Sequence, residues 1–171
     1  MQRLILGGVR SGKSAFAERL ASQSGKPVVY IATAEAQDAE MAARIEQHRQ
    51  QRPPHWQLVE APLQLGAALQ AHARADAVLL VDCLTLWLSN QLLHAPENLQ
   101  QTLDTLLAIL PKLPGELILV SNEVGQGVVP MGELSRRFVD ASGRLHQRLA
   151  AQCDEVVMVI AGLPWYLKGK Q

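Results

Sequence analysis

Eight consecutive residues, Gly7, Gly8, Val9, Arg10, Ser11, Gly12, Lys13 and Ser14, have the types and spacing of a phosphate cradle, G-x-x-x-x-G-K-[ST]. The glycines let the backbone approach an anion with no Cβ in the way. The amides of the turn, and of the helix that follows it, point inward and carry the positive end of the helix dipole. In this pattern Lys13 reaches the β- and γ-phosphates and the Ser14 hydroxyl holds Mg²⁺. A bound nucleoside triphosphate is the expectation.

Asp82 closes the apolar run that begins at Ala77. An acid in that place holds the Mg²⁺, directly or through water, near the Ser14 hydroxyl; alternatively it caps the next helix. His48 lies at i+7 from Met41 and i+3 from Ile45, with Arg44, Arg49 and Arg52 flanking. Two readings stay open for it: a structural histidine on an apolar helical face, or a neutral imidazole that attacks phosphorus while the arginines screen phosphate charge. His55, His72, His94 and His146 read as structural: one in a turn after two prolines, two near helix ends, one inside a long helix. The stretch from Asn122 to Pro130 contains Gly125 and Gly127, which suits a flap, a close backbone approach to a ligand, or an ordinary connection. Arg136, Arg137, Asp140 and Arg144 recur at helical spacing, on a solvated face or one that meets phosphate or a second subunit.

The elements that must position these residues alternate between apolar runs and helical patterns. Strands are predicted over 3–6, 28–33, 56–60, 77–82, 116–121 and 155–160. Helices are predicted over 13–24, 38–52, 65–73, 84–93, 96–110 and 133–152. The apolar strands have no polar alternation, as strands covered on both faces should not. The alternation indicates an α/β fold: a mostly parallel central sheet between helical layers, the three-layer sandwich of RecA-like P-loop NTPases. In such sheets ligands sit beyond the carboxyl ends of the strands, where Gly7, Thr33, Asp82 and Asn122 all fall.

The 171 residues suit one domain with a full core. A formal net charge of +0 gives no electrostatic reason to expect nucleic acid or an anionic membrane as partner. Basic residues at Arg136-Arg137 and from Lys168 to Lys170 are too few for a binding stripe. Cys83 and Cys153 lack metal-type spacing and read as reduced, buried thiols of a cytoplasmic protein. The first apolar run starts too early to leave room for a signal peptide, and no apolar run reaches the ~20 residues that cross a bilayer.

Taken together, these blocks resemble the bifunctional adenosylcobinamide kinase / adenosylcobinamide-phosphate guanylyltransferase family. The resemblance rests on Gly7-Gly8-Val9-Arg10-Ser11-Gly12-Lys13-Ser14 and on Tyr30-Ile31-Ala32-Thr33-Ala34. It continues through Glu40-Met41, Arg44-Ile45, His48, Arg52 and Trp56, then the segments from Asp82 to Asn90 and from Val120 to Pro130. It implies two reactions. A kinase moves the γ-phosphoryl group of ATP or GTP onto the corrinoid adenosylcobinamide. A guanylyltransferase then moves GMP from GTP onto that phosphate, through a guanylylated histidine that matches His48. It also implies nucleotide contacts at Ala32, Thr33, Ala34, Arg49, Gln50, Gln51, Arg52, Glu60 and Asp82. A homo-oligomer is implied too, a trimer being the form it suggests, with Trp87 and the 84–93 helix as apolar contact surface. Val139 stands where the family commonly has arginine, and His146 where it has asparagine. One cradle can serve both steps if the nucleotide or the helix bearing His48 moves between them. The alternative is a P-loop kinase of another small metabolite with His48 structural. A nucleotide switch is disfavoured because no Asn-Lys-x-Asp motif occurs.

Overall fold

The computed structural model describes residues 1–35 and 53–169. The helix predicted over 38–52 lies outside the described residues, together with His48, Arg49, Gln50, Gln51 and Arg52. Seven strands form one sheet in the order β3-β2-β4-β5-β1-β6-β7. They are β1 (Gln2–Gly7), β2 (Val28–Ala32), β3 (Gln57–Glu60), β4 (Val78–Asp82), β5 (Glu116–Asn122), β6 (Glu155–Ile160) and β7 (Leu163–Lys168). All neighbours pair in parallel except β6 and β7. The described α-helices are α1 (Lys13–Gln23), α2 (Leu65–His72), α3 (Leu84–His94), α4 (Leu99–Ile109) and α5 (Glu133–Gln152).

Successive strand residues point to opposite faces, so each apolar run feeds two cores. On one face Leu4, Leu6, Val81 and Leu119 pack with Trp87, Leu106, Leu145 and Leu149 of α3, α4 and α5. On the other, Ile5, Leu80, Val120 and Val157 pack with Phe16, Ala17 and Ala21 of α1. This double burial is the physical reason for the missing polar alternation. The helix predicted over 96–110 is interrupted: a 3-10 turn at Pro96–Asn98 precedes α4, and another at Leu110–Lys112 follows it. Pro111 removes the amide that would continue α4 beyond its end, whereas Pro96 opens the first turn, where no intrahelical bond is due.

Two expectations need correction. β6 is not the last strand. β7 returns antiparallel through a two-residue turn, Ala161 at φ 51° and Gly162 at φ 81°, the backbone that a tight hairpin requires. Trp87 does not offer contact surface to a second subunit. It is 1% exposed, and its indole N–H donates to the Leu63 carbonyl at 3.0 Å.

Arg3 fastens the far edge of the sheet, donating from Nη1 to Glu116 at 2.8 Å and from Nε to Glu155 at 2.7 Å. Lys26 adds a 2.8 Å bond to the same Glu116. Lys26 and then Arg3 hold the Glu116 carboxyl below the usual carboxylate range, against the opposing effect of burial.

Candidate active site

The register brings the predicted residues to one edge. Gly7 ends β1 opposite Asn122, Asp82 ends β4 opposite Ala32, and Glu60 ends β3 opposite Ala32 from the other side. β5 lies between β1 and β4, so Asp82 stands two strand spacings from the end of β1, about 10 Å. Glu60 stands four spacings away, about 19 Å. A nucleotide laid along this edge with its phosphates at β1 would meet Glu60 only at its ribose or base end.

The turn after β1 is open on one side and braced on the other. Gly8, Val9 and Arg10 are exposed, whereas Gly7 and Lys13 are buried. Ser11 N–H closes the turn onto the Gly8 carbonyl at 3.3 Å. Gly12 begins α1 with φ 91°, and no side chain caps the helix, so its first amides are left for an external anion. Lys13 Nζ rests 3.2 Å from the Gly8 carbonyl. The Ser11 hydroxyl and the Asn122 amide oxygen are buried with no hydrogen-bond partner. The brace comes from the hairpin: Gly162 N–H donates to the Ser11 carbonyl at 2.8 Å. A Cβ on Gly12 would lie 3.1 Å from the Gly162 Cα, and one on Gly7 would lie 2.7 Å from the Val159 carbonyl.

Asp82 does not cap a helix. α3 starts at Leu84 with Cys83 before it and no capping side chain. Instead the Tyr30 hydroxyl donates to Asp82 Oδ2 at 3.2 Å, and the Tyr30 ring stacks on Trp56 with centroids 6.4 Å apart. The Cys83 thiol is pushed up to about 11 by burial and by the Asp82 carboxylate, so it stays protonated and is no nucleophile. Thr33 is fully buried. Its hydroxyl donates to the Cys83 carbonyl at 2.6 Å and accepts the Cys83 N–H at 3.0 Å. The Thr33 carbonyl also accepts from the Asn90 amide at 2.9 Å, so both of its oxygens are committed within the protein, while Ala32 and Ala34 beside it are half-buried.

Ser14 and Asp82 supply hard oxygen donors of the kind Mg²⁺ takes when phosphates and waters complete its shell. No group of three or more His, Cys, Asp or Glu that could hold a metal occurs among the described residues. A groove of about 660 Å³ lies elsewhere, between α4 and α5, with Leu103, Leu107, Arg137, Arg144 and Arg148 among its lining.

His146, which reads as a structural residue inside a long helix, is buried and reaches this edge. It is 6% exposed, with Nε2 2.8 Å from Ser121 Oγ and Nδ1 3.4 Å from Glu123 Oε2. Burial lowers its pKa while Glu123 opposes the shift. The other two described histidines with partners are peripheral: His72 faces Gln57, and His94 lies 3.2 Å from Glu35. His146 shares the buried stripe of α5 with Ser142, Leu145 and Leu149, which marks it as inward-facing; only the packing of α5 on β5 shows which residues it meets.

Residues 3–167 match the family described as "Cobinamide kinase / cobinamide phosphate guanyltransferase". The chain is 57% identical over 171 residues to the bifunctional adenosylcobalamin biosynthesis protein CobP of Pseudomonas aeruginosa, covering 99% of each. It is 39% identical over 177 residues to the CobU protein of Escherichia coli K12, covering 95% of this chain and 97% of that one. Among solved structures it resembles the RadB recombinase, with a TM-score of 0.54 and 17% identity over 92% of this chain and 73% of that one. It also resembles an ATPase of a type III secretion system, with a TM-score of 0.55 and 12% identity over 96% of this chain and 56% of that one. The last two likenesses speak for the P-loop NTPase fold alone.

Proposed function

The chain belongs to the cobinamide kinase / cobinamide phosphate guanyltransferase family, and from that premise we propose how its residues divide the work of two reactions. It is an enzyme of adenosylcobalamin biosynthesis that acts as a cobinamide kinase and as a cobinamide phosphate guanyltransferase. The finer reading concerns nucleotide, nucleophile and site.

In the kinase step the corrinoid hydroxyl oxygen attacks the γ-phosphorus of ATP or GTP. The bond to the β,γ-bridging oxygen breaks, the nucleoside diphosphate leaves, and the hydroxyl proton passes to a base or to solvent. The amides of Gly8 to Ser14 and the Lys13 ammonium stabilise charge on the transferring and departing phosphates. Ser14 and Asp82 are the residues that would hold Mg²⁺, which would supply charge neutralisation at the phosphates. Tyr30 orients the Asp82 carboxylate. The four strand spacings between β1 and Glu60 support a role for Glu60 at the ribose or base end of the nucleotide rather than as the base for this step. Ala32, Thr33, Ala34 and the Arg49–Arg52 run complete the nucleotide contacts.

In the guanylyltransferase step a ring nitrogen of His48 attacks the α-phosphorus of GTP and pyrophosphate leaves, giving a phosphoramidate. A phosphate oxygen of the phosphorylated corrinoid then attacks the same phosphorus, the P–N bond breaks, and His48 is regenerated as GMP passes on. We read both steps as the work of a single domain spanning residues 1–171, in a cytoplasmic homo-oligomer.

The observation that carries this reading is the braced, uncapped Gly7–Ser14 cradle two strands from a Tyr30-held Asp82. The experiment is to incubate the protein with Mg²⁺ and GTP labelled at the α-phosphate, denature it and count label on the chain, with His48→Ala alongside. An acid-labile label that vanishes in the variant is expected. A folded, GTP-binding protein that takes no label would overturn the covalent route and leave His48 structural.

A further inference from the structure

The residues between α5 and the end of β5 form one chain of polar contacts. His146 Nδ1 is buried without an aligned hydrogen-bond partner and lies 3.4 Å from Glu123 Oε2; a lone pair turned toward a carboxylate, which accepts and cannot donate, would be repelled, so in the neutral ring Nδ1 is the nitrogen that carries the hydrogen. In the neutral ring Nε2 then accepts, and the Ser121 hydroxyl at 2.8 Å must donate to it. Ser121 Oγ is left to receive the Thr85 hydroxyl at 3.3 Å, and Thr85 Oγ1 accepts the Asn122 N–H at 2.7 Å. Each link fixes the direction of the next.

Glu123 is the joint at which this chain reaches the loop. Its own N–H donates to the Gly7 carbonyl at 3.0 Å, tying it to the first residue of the cradle. Its Oε1 accepts the Gly125 N–H at 2.6 Å, which sets the first turn of the loop. The other oxygen faces His146. Beyond this joint Val128, Val129 and Met131 are strongly exposed, at 96%, 71% and 95%. An apolar surface beside a phosphate cradle suits the organic acceptor rather than the triphosphate.

We propose that His146 is a positioning residue: through its Nδ1–H it holds the Glu123 carboxylate, and with it the Glu123–Pro130 loop, in the place from which the loop meets the phosphoryl acceptor. The proposal rests on the reading above only in taking the acceptor to be the corrinoid.

The test compares His146→Ala, His146→Asn and His146→Gln in the full chain, with adenosylcobinamide as acceptor in the kinase assay. An asparagine amide nitrogen takes the place of ring Nδ1, whereas a glutamine amide nitrogen reaches the place of Nε2. The alanine and glutamine variants should raise the acceptor KM about 3- to 10-fold, the loss of the contact that orients the Glu123 carboxylate. Nucleotide Kd should stay within about twofold, and asparagine should restore the acceptor KM. Equal defects in the asparagine and glutamine variants, or a defect confined to nucleotide Kd, would show that His146 only fills space. A second readout needs no variant: the ¹⁵N shifts of the His146 ring in the unaltered protein should report the Nδ1–H tautomer, and an Nε2–H tautomer overturns the chain of donors. Failure of His48 to take label leaves both measurements interpretable, so the two proposals fail separately.

Discussion

His146 shows how a residue with an ordinary identity acquires a property from its surroundings. Its ring is buried between β5 and α5, and burial disfavours the charged form more than Glu123 restores it, so the folded-state pKa lies below the usual 6.5. The unfolded chain then binds the proton more readily than the native one. Stability contributed by neutral His146 is complete above the ordinary histidine value and is lost as the pH falls from there toward the depressed folded value. Urea unfolding between pH 7.5 and 5.5 should therefore show falling stability in the native sequence and a flatter profile in His146→Asn, which has no titrating ring. Parallel profiles would mean that the buried imidazole does not sense pH. Cys83 and Cys153 are set by the same physics with the opposite sign. Burial leaves them as inert thiols, the second pushed up to about 12.

At the scale of elements, the cradle works because two turns meet. Gly12 adopts φ 91°, and an added Cβ would lie 3.1 Å from the backbone of Gly162 in the β6–β7 turn. Gly12→Ala should destabilise the protein by about 1–2 kcal/mol through left-handed strain alone, with further loss because the obstacle is backbone and cannot swing away. Its nucleotide affinity should fall with stability, read by calorimetric titration beside chemical denaturation. A variant that keeps both would show that the hairpin yields freely and is no brace. β7 was missed in the sequence because Pro164 and a short apolar run, with exposed Leu163, Trp165 and Leu167, lack the pattern of a buried strand. The one local hint was Gly162 after an apolar run. α5 was found with its bounds intact because its buried Ala141, Leu145 and Leu149 recur at helical spacing. Lys168 also reaches its last turn, donating to the carbonyls of Ala150 and Ala151 at 2.9 and 3.1 Å.

For the molecule as a whole, the sheet order is what turns separate motifs into a site. Placing β5 between β1 and β4 sets Asp82 two strands from the cradle and Glu60 four, which separates the phosphate end from the base end of one ligand. A ligand that binds only this assembled edge must stabilise the whole fold. Mg²⁺ and GTP at about 100 times Kd should add about 2.7 kcal/mol, raising Tm by about 5–10 °C for a chain of this size. No shift at such concentrations would mean that the edge does not bind GTP as a unit. The sequence by itself determined the α/β class, the cradle, the acid at the end of β4 and the family, because each is written in neighbouring residues whose types local geometry demands. Only the tertiary structure decided that Trp87 is core and not contact surface, that Thr33 spends its hydroxyl on Cys83, and that His146, 25 positions from Ser121, completes a chain of polar contacts to the loop beside Gly7. Those outcomes depend on which helix packs over which strand, and that choice is made by the summed burial of two apolar faces rather than by any stretch of adjacent residues.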